Sequence, residues 1–320
     1  MTVLTHATNG PALLGWHLEL ELTGRCQLEC VHCYAESGPT GDHGTMTAND
    51  WSTVIADAAS LGVSQVQLIG GEPTVHPQFV RLLRHAIDCG LSVEVFSNLV
   101  HVRDEWWELF VSPKVSLATS YYSDRSSEHA AVTGRRGSHA RTRANIAEAV
   151  RRGIPVRVGI IDVLDGQRVE QARTELEALG VTRIGTDRLR GVGRGARTES
   201  DVSQLCGGCG REQAAISPSG DVWPCVLSRW LPASGNVRVQ GLGEILTGQR
   251  WRDLVATIPA RGPEMKCSPD NKCNPENKCK PDTTGCNPTC KPSQRDGSDC
   301  APAEQPACNP RFCNPDTKRK

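Results

Sequence analysis

Between residues 16 and about 190, short runs rich in Val, Ile and Leu alternate with longer stretches of helical periodicity. Residues 16–22, 63–69, 91–97, 115–120, 154–161 and 181–186 read as six strands. Apolar strands separated by helices are the pattern of repeated strand-helix units around a parallel sheet. The intervening helices carry end signals. Thr47 with Asp50 three residues later forms a capping-box pattern, and Gly62, Gly90, Gly153 and Gly180 sit where helix C-terminal glycines belong. The expected fold class is α/β, a partial (β/α)6 barrel of the TIM type, curled without closing. Ligands of such sheets lie at the carboxyl ends of the strands, so the loops after the strands are where function is sought.

Residues 1–15 precede the first strand as an extension, and residues 16–200 make up the barrel. Residues 201–262 change character, with Gly-Gly and Ser-Pro-Ser-Gly turns, a strand-like stretch at 221–226 and a helix-like one at 242–258. They read as a small appended cysteine domain. From residue 263 to 320 the chain is low in complexity and lacks Val, Ile and Leu, with Phe312 its sole aromatic residue. Such a composition buries too little apolar surface to order itself unless its cysteines are tied together.

Lys plus Arg and Asp plus Glu both number 36, so the net charge is zero. A general nucleic-acid or acidic-membrane binder is normally more basic, which argues against both partners. No stretch approaches the roughly 18 apolar residues of a membrane span, and no signal peptide is recognisable. A cytoplasmic protein is the expectation.

In a reducing compartment, 15 cysteines are metal ligands more often than disulfide partners. Cys26, Cys30 and Cys33 stand in a CxxxCxxC spacing on the loop after the first strand. Three thiolates so close can hold three irons of a 4Fe-4S cluster and leave the fourth open to a non-protein ligand. The spacing alone leaves open a zinc site completed by His32 or His43, or a set of structural thiols. Cys206, Cys209 and Cys225 form a second group, while Cys89 stands alone before Gly90 and reads as a small buried residue. His129, His139 and the Trp106-Trp107 pair read as structural or surface residues.

The loop after the second strand reads Gly70-Gly71-Glu72-Pro73. With the three-cysteine motif, in that order and with aromatic His32 before the last cysteine, it resembles the radical S-adenosylmethionine superfamily over residues 16 to about 262. The resemblance implies that the open iron chelates S-adenosylmethionine, whose reductive cleavage yields a 5'-deoxyadenosyl radical that abstracts a substrate hydrogen. It implies that Gly70, Gly71, Glu72 and Pro73 receive the methionine amino group, with glycine allowing close backbone approach. Asn98, beside Ser97, and Ser120 match positions of polar cofactor contacts, and Ile160 and Ile161 match a place to pack on adenine. Arg188, Arg190 and Arg194 either meet cofactor or substrate carboxylates or form a solvated basic loop.

Cys206-Gly-Gly-Cys209, Ile216-Ser-Pro-Ser-Gly220 and Cys225 resemble the opening of a SPASM or twitch extension, which implies three ligands of an auxiliary cluster. A zinc ribbon is the alternative. The chain then departs from that pattern into eight Cys-x-Pro units, at Cys267, Cys273, Cys279, Cys286, Cys290, Cys300, Cys308 and Cys313. The count of auxiliary clusters is one or two, with no tail ligand assigned. Enzymes with this extension often modify ribosomally made peptides, so the expected substrate is a precursor peptide matured by crosslinking, thioether formation or epimerisation. The alternative is a sugar or other small biosynthetic intermediate. A non-catalytic iron-sulfur or zinc protein is a third reading, against which the cofactor turn argues. The expected partners are a flavodoxin- or ferredoxin-type reductant and, as the first strand begins about 15 residues in, a separate peptide-recognition protein.

Overall fold

The computed structural model describes residues 12–260. The expectations for residues 1–11 and for the Cys-x-Pro tail lie outside them. Each of the six expected strands forms, mostly shortened at its ends: β1 (His17–Glu21), β2 (Gln65–Ile69), β3 (Ser92–Phe96), β4 (Val115–Tyr121), β5 (Val156–Asp162) and β6 (Arg183–Arg188). They lie side by side in chain order and pair in parallel. The crossovers are α1 (Ala48–Ser60), α2 (Phe79–Asp88), α3 (Asp104–Phe110), the pair α4 (Ser126–Thr133) and α5 (Ser138–Arg151), and α6 (Val169–Ala178). The fourth crossover is split in two because Gly134 closes α4 in the left-handed conformation, at φ 69°.

Helix ends follow their chemistry. The Asp50 carboxylate accepts from the Thr47 amide at 2.8 Å, and the Thr47 hydroxyl accepts from the Asp50 amide at 3.2 Å, a complete capping box. Trp106 and Trp107 are buried in the core. Cys89 caps α2 but is only partly buried, with its sulfur 3.8 Å from the His85 ring, so the expected full burial is not met.

The two faces of β1 explain the architecture. Leu18 and Leu20 are fully buried in a core shared with Trp51, Val54 and Ile55 of α1. Burial of each such side chain is worth about 1.5–3 kcal/mol. His17, Glu19 and Glu21 alternate with them and take the inner face of the partial barrel. The register continues that polar face, aligning Glu19 with Gln67 and Gln67 with Glu94. Arg157 of β5 closes on Glu94 with two hydrogen bonds of 2.7 Å.

The sheet does not stop at β1. β7 (Gln213–Ile216) adds in parallel to β1, and β8 (Asp221–Trp223) and β9 (Gly235–Asn236) follow antiparallel, giving nine strands among the described residues. The cysteine-bearing region after residue 200 therefore shares the barrel's sheet. Its expected long helix is two short ones, α7 (Leu242–Thr247) and α8 (Gln249–Ala256), parted by extended Gly248. Among the described residues no helix is long and apolar enough to cross a membrane.

Candidate metal centre

Cys26, Cys30 and Cys33 lie on the loop that leaves the carboxyl end of β1, and neighbouring elements hold its backbone from three sides. On the first, the amides of Gly71 and Glu72 donate to the carbonyls of Thr23 (2.7 Å) and Arg25 (2.9 Å). On the second, the end of α4 accepts from the Glu29 and Val31 amides, and Arg135 donates to the Gln27 carbonyl. On the third, Arg194 donates from Nε to the Cys30 carbonyl (2.9 Å) and from Nη2 to the Ser37 carbonyl (2.7 Å), while its amide meets the Cys33 carbonyl. The Cys26 sulfur accepts from the Leu28 amide at 3.4 Å and from Asn98 Nδ2 at 3.6 Å.

The Gly70-Gly71-Glu72-Pro73 turn is built for this contact. A Cβ on Gly71 would stand 2.4 Å from the Arg25 carbonyl oxygen, and one on Gly70 would stand 2.5 Å from that of Thr23. Glycine is thus required by the cluster loop itself, a different reason from the approach of a cofactor expected from the sequence. Glu72 is fully buried and both its oxygens are engaged, one by the Thr74 amide and hydroxyl, the other by the Asn98 amide at 2.8 Å. Burial raises its pKa despite these bonds. Pro73 opens a short 3-10 turn. The Glu72 and Pro73 carbonyls accept from the Val75 and His76 amides, so the acceptors the turn can offer a ligand are the Gly70 and Gly71 carbonyl oxygens, suited to an ammonium group.

Burial pushes the Cys26 and Cys30 thiols up to about 12, aided by Glu72 at Cys26 and by Cys33 at Cys30. A metal must displace their protons to bind, and three soft sulfur donors on one braced loop fit iron-sulfur ligation. His32 is held neutral, its pKa lowered to about 4 by burial and then by Arg194. Its ring stands edge-on to Tyr122 with Nδ1 unpartnered among the described residues. His43 is tied to the Thr23 hydroxyl at 2.9 Å. Among the described residues no group of three or more His, Cys, Asp or Glu side chains is already gathered as a metal site.

The remaining sequence-derived residues divide. Asn98 is brought to the centre, holding Gln27 at 3.0 Å as well as Cys26. Ser120 lies at the end of β4, where its hydroxyl bonds Tyr122. Ile160 is fully buried, while Ile161 is partly exposed beside the β5 end. The arginines are engaged within the chain: Arg190 pairs with Asp187 at 2.6 Å, exposed Arg188 donates to Gln204, and Arg194 braces the cysteine loop.

The second group is also assembled. Cys209 and Cys225 place their sulfurs 3.0 Å apart, in an apolar jacket of Leu205 and Ile258 with Cys206 packed against it. A hydrogen bond from Cys206 lowers the Cys209 pKa, but the bond to Cys225 and burial outweigh it and bring the thiol to about 12. The Cys206 thiol is raised too, first through its bond to Cys209 and then by burial.

Sequence reasoning missed the acids between the two cysteine groups. Glu19 accepts from the Val226 amide at 3.0 Å, next to Cys225, and burial lifts its pKa to about 7. Glu21, 1% exposed, faces Arg229 at 3.4 Å. The signal was present in His-Leu-Glu-Leu-Glu, since charge on alternate positions of an internal strand needs a polar lumen to face.

The model of the radical SAM superfamily matches residues 20–179, and an iron-sulfur cluster-binding domain, SPASM, matches residues 206–280. The second match runs past the described residues to take in Cys267, Cys273 and Cys279. The antilisterial bacteriocin subtilosin biosynthesis protein AlbA of Bacillus subtilis is 34% identical over 45% of this chain and 32% of its own. An AdoMet-dependent heme synthase of Methanosarcina barkeri is 32% identical over 43% and 39%. A PqqA peptide cyclase of Bradyrhizobium diazoefficiens is 26% identical over 64% and 65%. The chain thus spans 32% to 65% of these relatives' length. The fold is that of Streptococcus suis SuiB bound to precursor peptide SuiA, with a TM-score of 0.62 at 16% identity over 75% of this chain and 65% of that one.

Proposed function

The chain belongs to the radical SAM superfamily and carries a SPASM-type iron-sulfur domain, and from that premise we propose that it matures a ribosomally made precursor peptide by hydrogen abstraction. Cys26, Cys30 and Cys33 would hold a 4Fe-4S cluster, and Cys206, Cys209 and Cys225 would hold three positions of an auxiliary one. Bound at the first site, the cluster supplies the electron that splits S-adenosylmethionine into methionine and a 5'-deoxyadenosyl radical. The chain's own part is positioning. The glycine turn presents carbonyls to the methionine ammonium group, Asn98 sets the Cys26 side of the loop, and Ser120 faces the same strand ends.

One observation carries the reading: the glycine turn and the cysteine loop are locked backbone to backbone, through the Gly71 and Glu72 amides, at the carboxyl ends of adjacent strands. A metal store has no use for that pairing of a thiol site with an acceptor turn. The peptide substrate is supported by the names of the relatives, AlbA and the PqqA peptide cyclase among them. The heme synthase favours a second reading, a small biosynthetic intermediate.

The test is anaerobic reconstitution with iron and sulfide, then reductant and S-adenosylmethionine, scoring 5'-deoxyadenosine in wild type and in a Cys26, Cys30, Cys33 triple-alanine variant. Product in wild type and none in the variant is the expected result. Loss of two hydrogens from a short peptide encoded beside the protein would mark a crosslinking reaction. Zinc in place of iron in the wild type, with no product, would refute the reading.

A further inference from the structure

Beside Gln27 of the cysteine loop lies a cleft of about 470 Å³ that none of the roles above uses. Its walls come from the 3-10 turn after the glycine turn, α2, the start of α3 and the segment around Arg135 and Arg141. Arg103, Arg135 and Arg141 line it with His76 and His101, over an apolar floor that includes Trp106. Among the described residues no carboxylate lines it. Arg141 is exposed and makes no ion pair among the described residues, while Arg103 lies over the Trp106 ring at 5.2 Å and holds a solvent-exposed pairing of 3.8 Å with Glu105 that a partner can exchange. The chain as a whole is neutral, so this concentration of guanidinium groups is local.

Gln27 also lines the cleft, and its amide oxygen is 3.9 Å from the Cys26 sulfur. A partner seated there is separated from a cluster ligand by a single side chain. Electron tunnelling falls steeply with distance, so this is a short way in for an electron.

From these observations we infer that the cleft is the docking surface of a small acidic one-electron carrier protein. This deepens the radical reading, on which it rests. Carboxylates of the carrier would face Arg103 and Arg141, its redox centre would approach Gln27, and each encounter would pass one electron through Cys26 to the cluster. Opposite charge on the two surfaces raises the rate of encounter and weakens with salt.

The test uses the full, reconstituted chain and a bacterial flavodoxin as the carrier. Binding is measured by titration at low and high salt. 5'-Deoxyadenosine formation is driven in parallel by reduced flavodoxin and by dithionite, which is small enough to need no docking surface. Arg141→Glu with Arg103→Glu is expected to weaken flavodoxin binding by about tenfold or more, to lower the flavodoxin-driven rate in step and to leave the dithionite-driven rate unchanged. Arg250→Glu, a reversal on exposed α8, is expected to change none of these. Flavodoxin binding as tight in the double variant as in wild type would overturn the proposal, as would an equal loss in Arg250→Glu or a dithionite-driven rate that falls with the other. A wild type that cleaves nothing with dithionite would instead defeat the radical reading, while the binding titration still decides the docking surface.

Discussion

Arg194 donates to the carbonyl of Cys30, 164 residues before it in the chain, at 2.9 Å. The loop after the last parallel strand thereby holds the loop after the first. Gly193 makes the approach possible, since a Cβ there would lie 2.4 Å from the Tyr34 carbonyl oxygen and its φ is +56°. Arg194→Ala removes both side-chain bonds to the cysteine loop and is expected to lower iron retention by about tenfold, the ordinary effect of losing a group that orients metal ligands. Arg194→Lys should recover only part, because one ammonium does not span the Cys30 and Ser37 carbonyls as the guanidinium fork does. Iron and sulfide per chain after exposure to a chelator measure both. Retention at the wild-type level in Arg194→Ala would remove the role assigned to this side chain.

Gly71→Ala tests the lock between turn and loop. The new methyl meets a backbone oxygen at 2.4 Å, and neither partner is a flexible side-chain end. A cost of about 1–3 kcal/mol in unfolding free energy is expected, with loss of S-adenosylmethionine cleavage. Gly166→Ala is the control. Its φ is +71° but nothing lies within 4 Å of its Cβ, so it carries backbone strain alone, about 1 kcal/mol, and should keep its iron and activity. Equal behaviour of the two variants would show that the close approach is unimportant.

How much of this was readable beforehand depends on the range of the interaction. The six parallel strands announce themselves as Val-, Ile- and Leu-rich runs because a parallel sheet is buried by its crossover helices, and the Thr47 cap and the glycines after α1 and α2 are local chemistry. The two cysteine groups and the glycine turn were equally visible, being short motifs. The joining of β7 to β1 was not, since Gln213 pairs with His17 across nearly the whole barrel and four residues carry too little pattern to name a partner. Arg194 shows its charge in the sequence, yet its targets are main-chain carbonyls, which no sequence pattern marks. Glu19 and Glu21 are visible as alternation, but the leucines between them give the strand an apolar pattern that masks its polar face.

The Glu94–Arg157 pair inside the barrel has an asymmetric cost. Glu94 keeps 7% of its side-chain exposure and Arg157 keeps 35%. Burial alone would raise the Glu94 pKa, but hydrogen bonds from Arg157, its charge and Gln67 outweigh that and leave it lowered. Arg157→Met strands the carboxylate and is expected to cost at most about 3 kcal/mol, less than a fully buried pair because water reaches the guanidinium side. Adding Glu94→Leu should return most of that loss. Urea unfolding of the two variants beside wild type measures both. A double variant no more stable than Arg157→Met would mean that the pair's contribution lies elsewhere than in mutual compensation.

His129 makes the fold acid-sensitive in a defined window. It is 1% exposed, bonded through Nδ1 to the Ser138 hydroxyl at 3.1 Å, with Nε2 unpartnered among the described residues. The rings of Tyr121, Tyr122 and His139 surround it at 5.2–5.4 Å. Burial, reinforced by His139 and opposed by Glu175, lowers its pKa to about 4. In the unfolded chain an ordinary histidine binds its proton near pH 6.5, so between those values the unfolded state holds more protons and stability must rise with pH. The contribution is whole above about pH 6.5 and fades toward pH 4, with a span of about 3 kcal/mol at most. His129→Phe keeps an aromatic ring but cannot titrate, and His32 and His76 remain in both proteins with their own lowered values. The difference in unfolding free energy between wild type and His129→Phe, measured on the metal-free chain from pH 4 to 7.5, should therefore shift in favour of the variant as pH falls. A difference that stays constant over that range would show that His129 takes up no proton on unfolding.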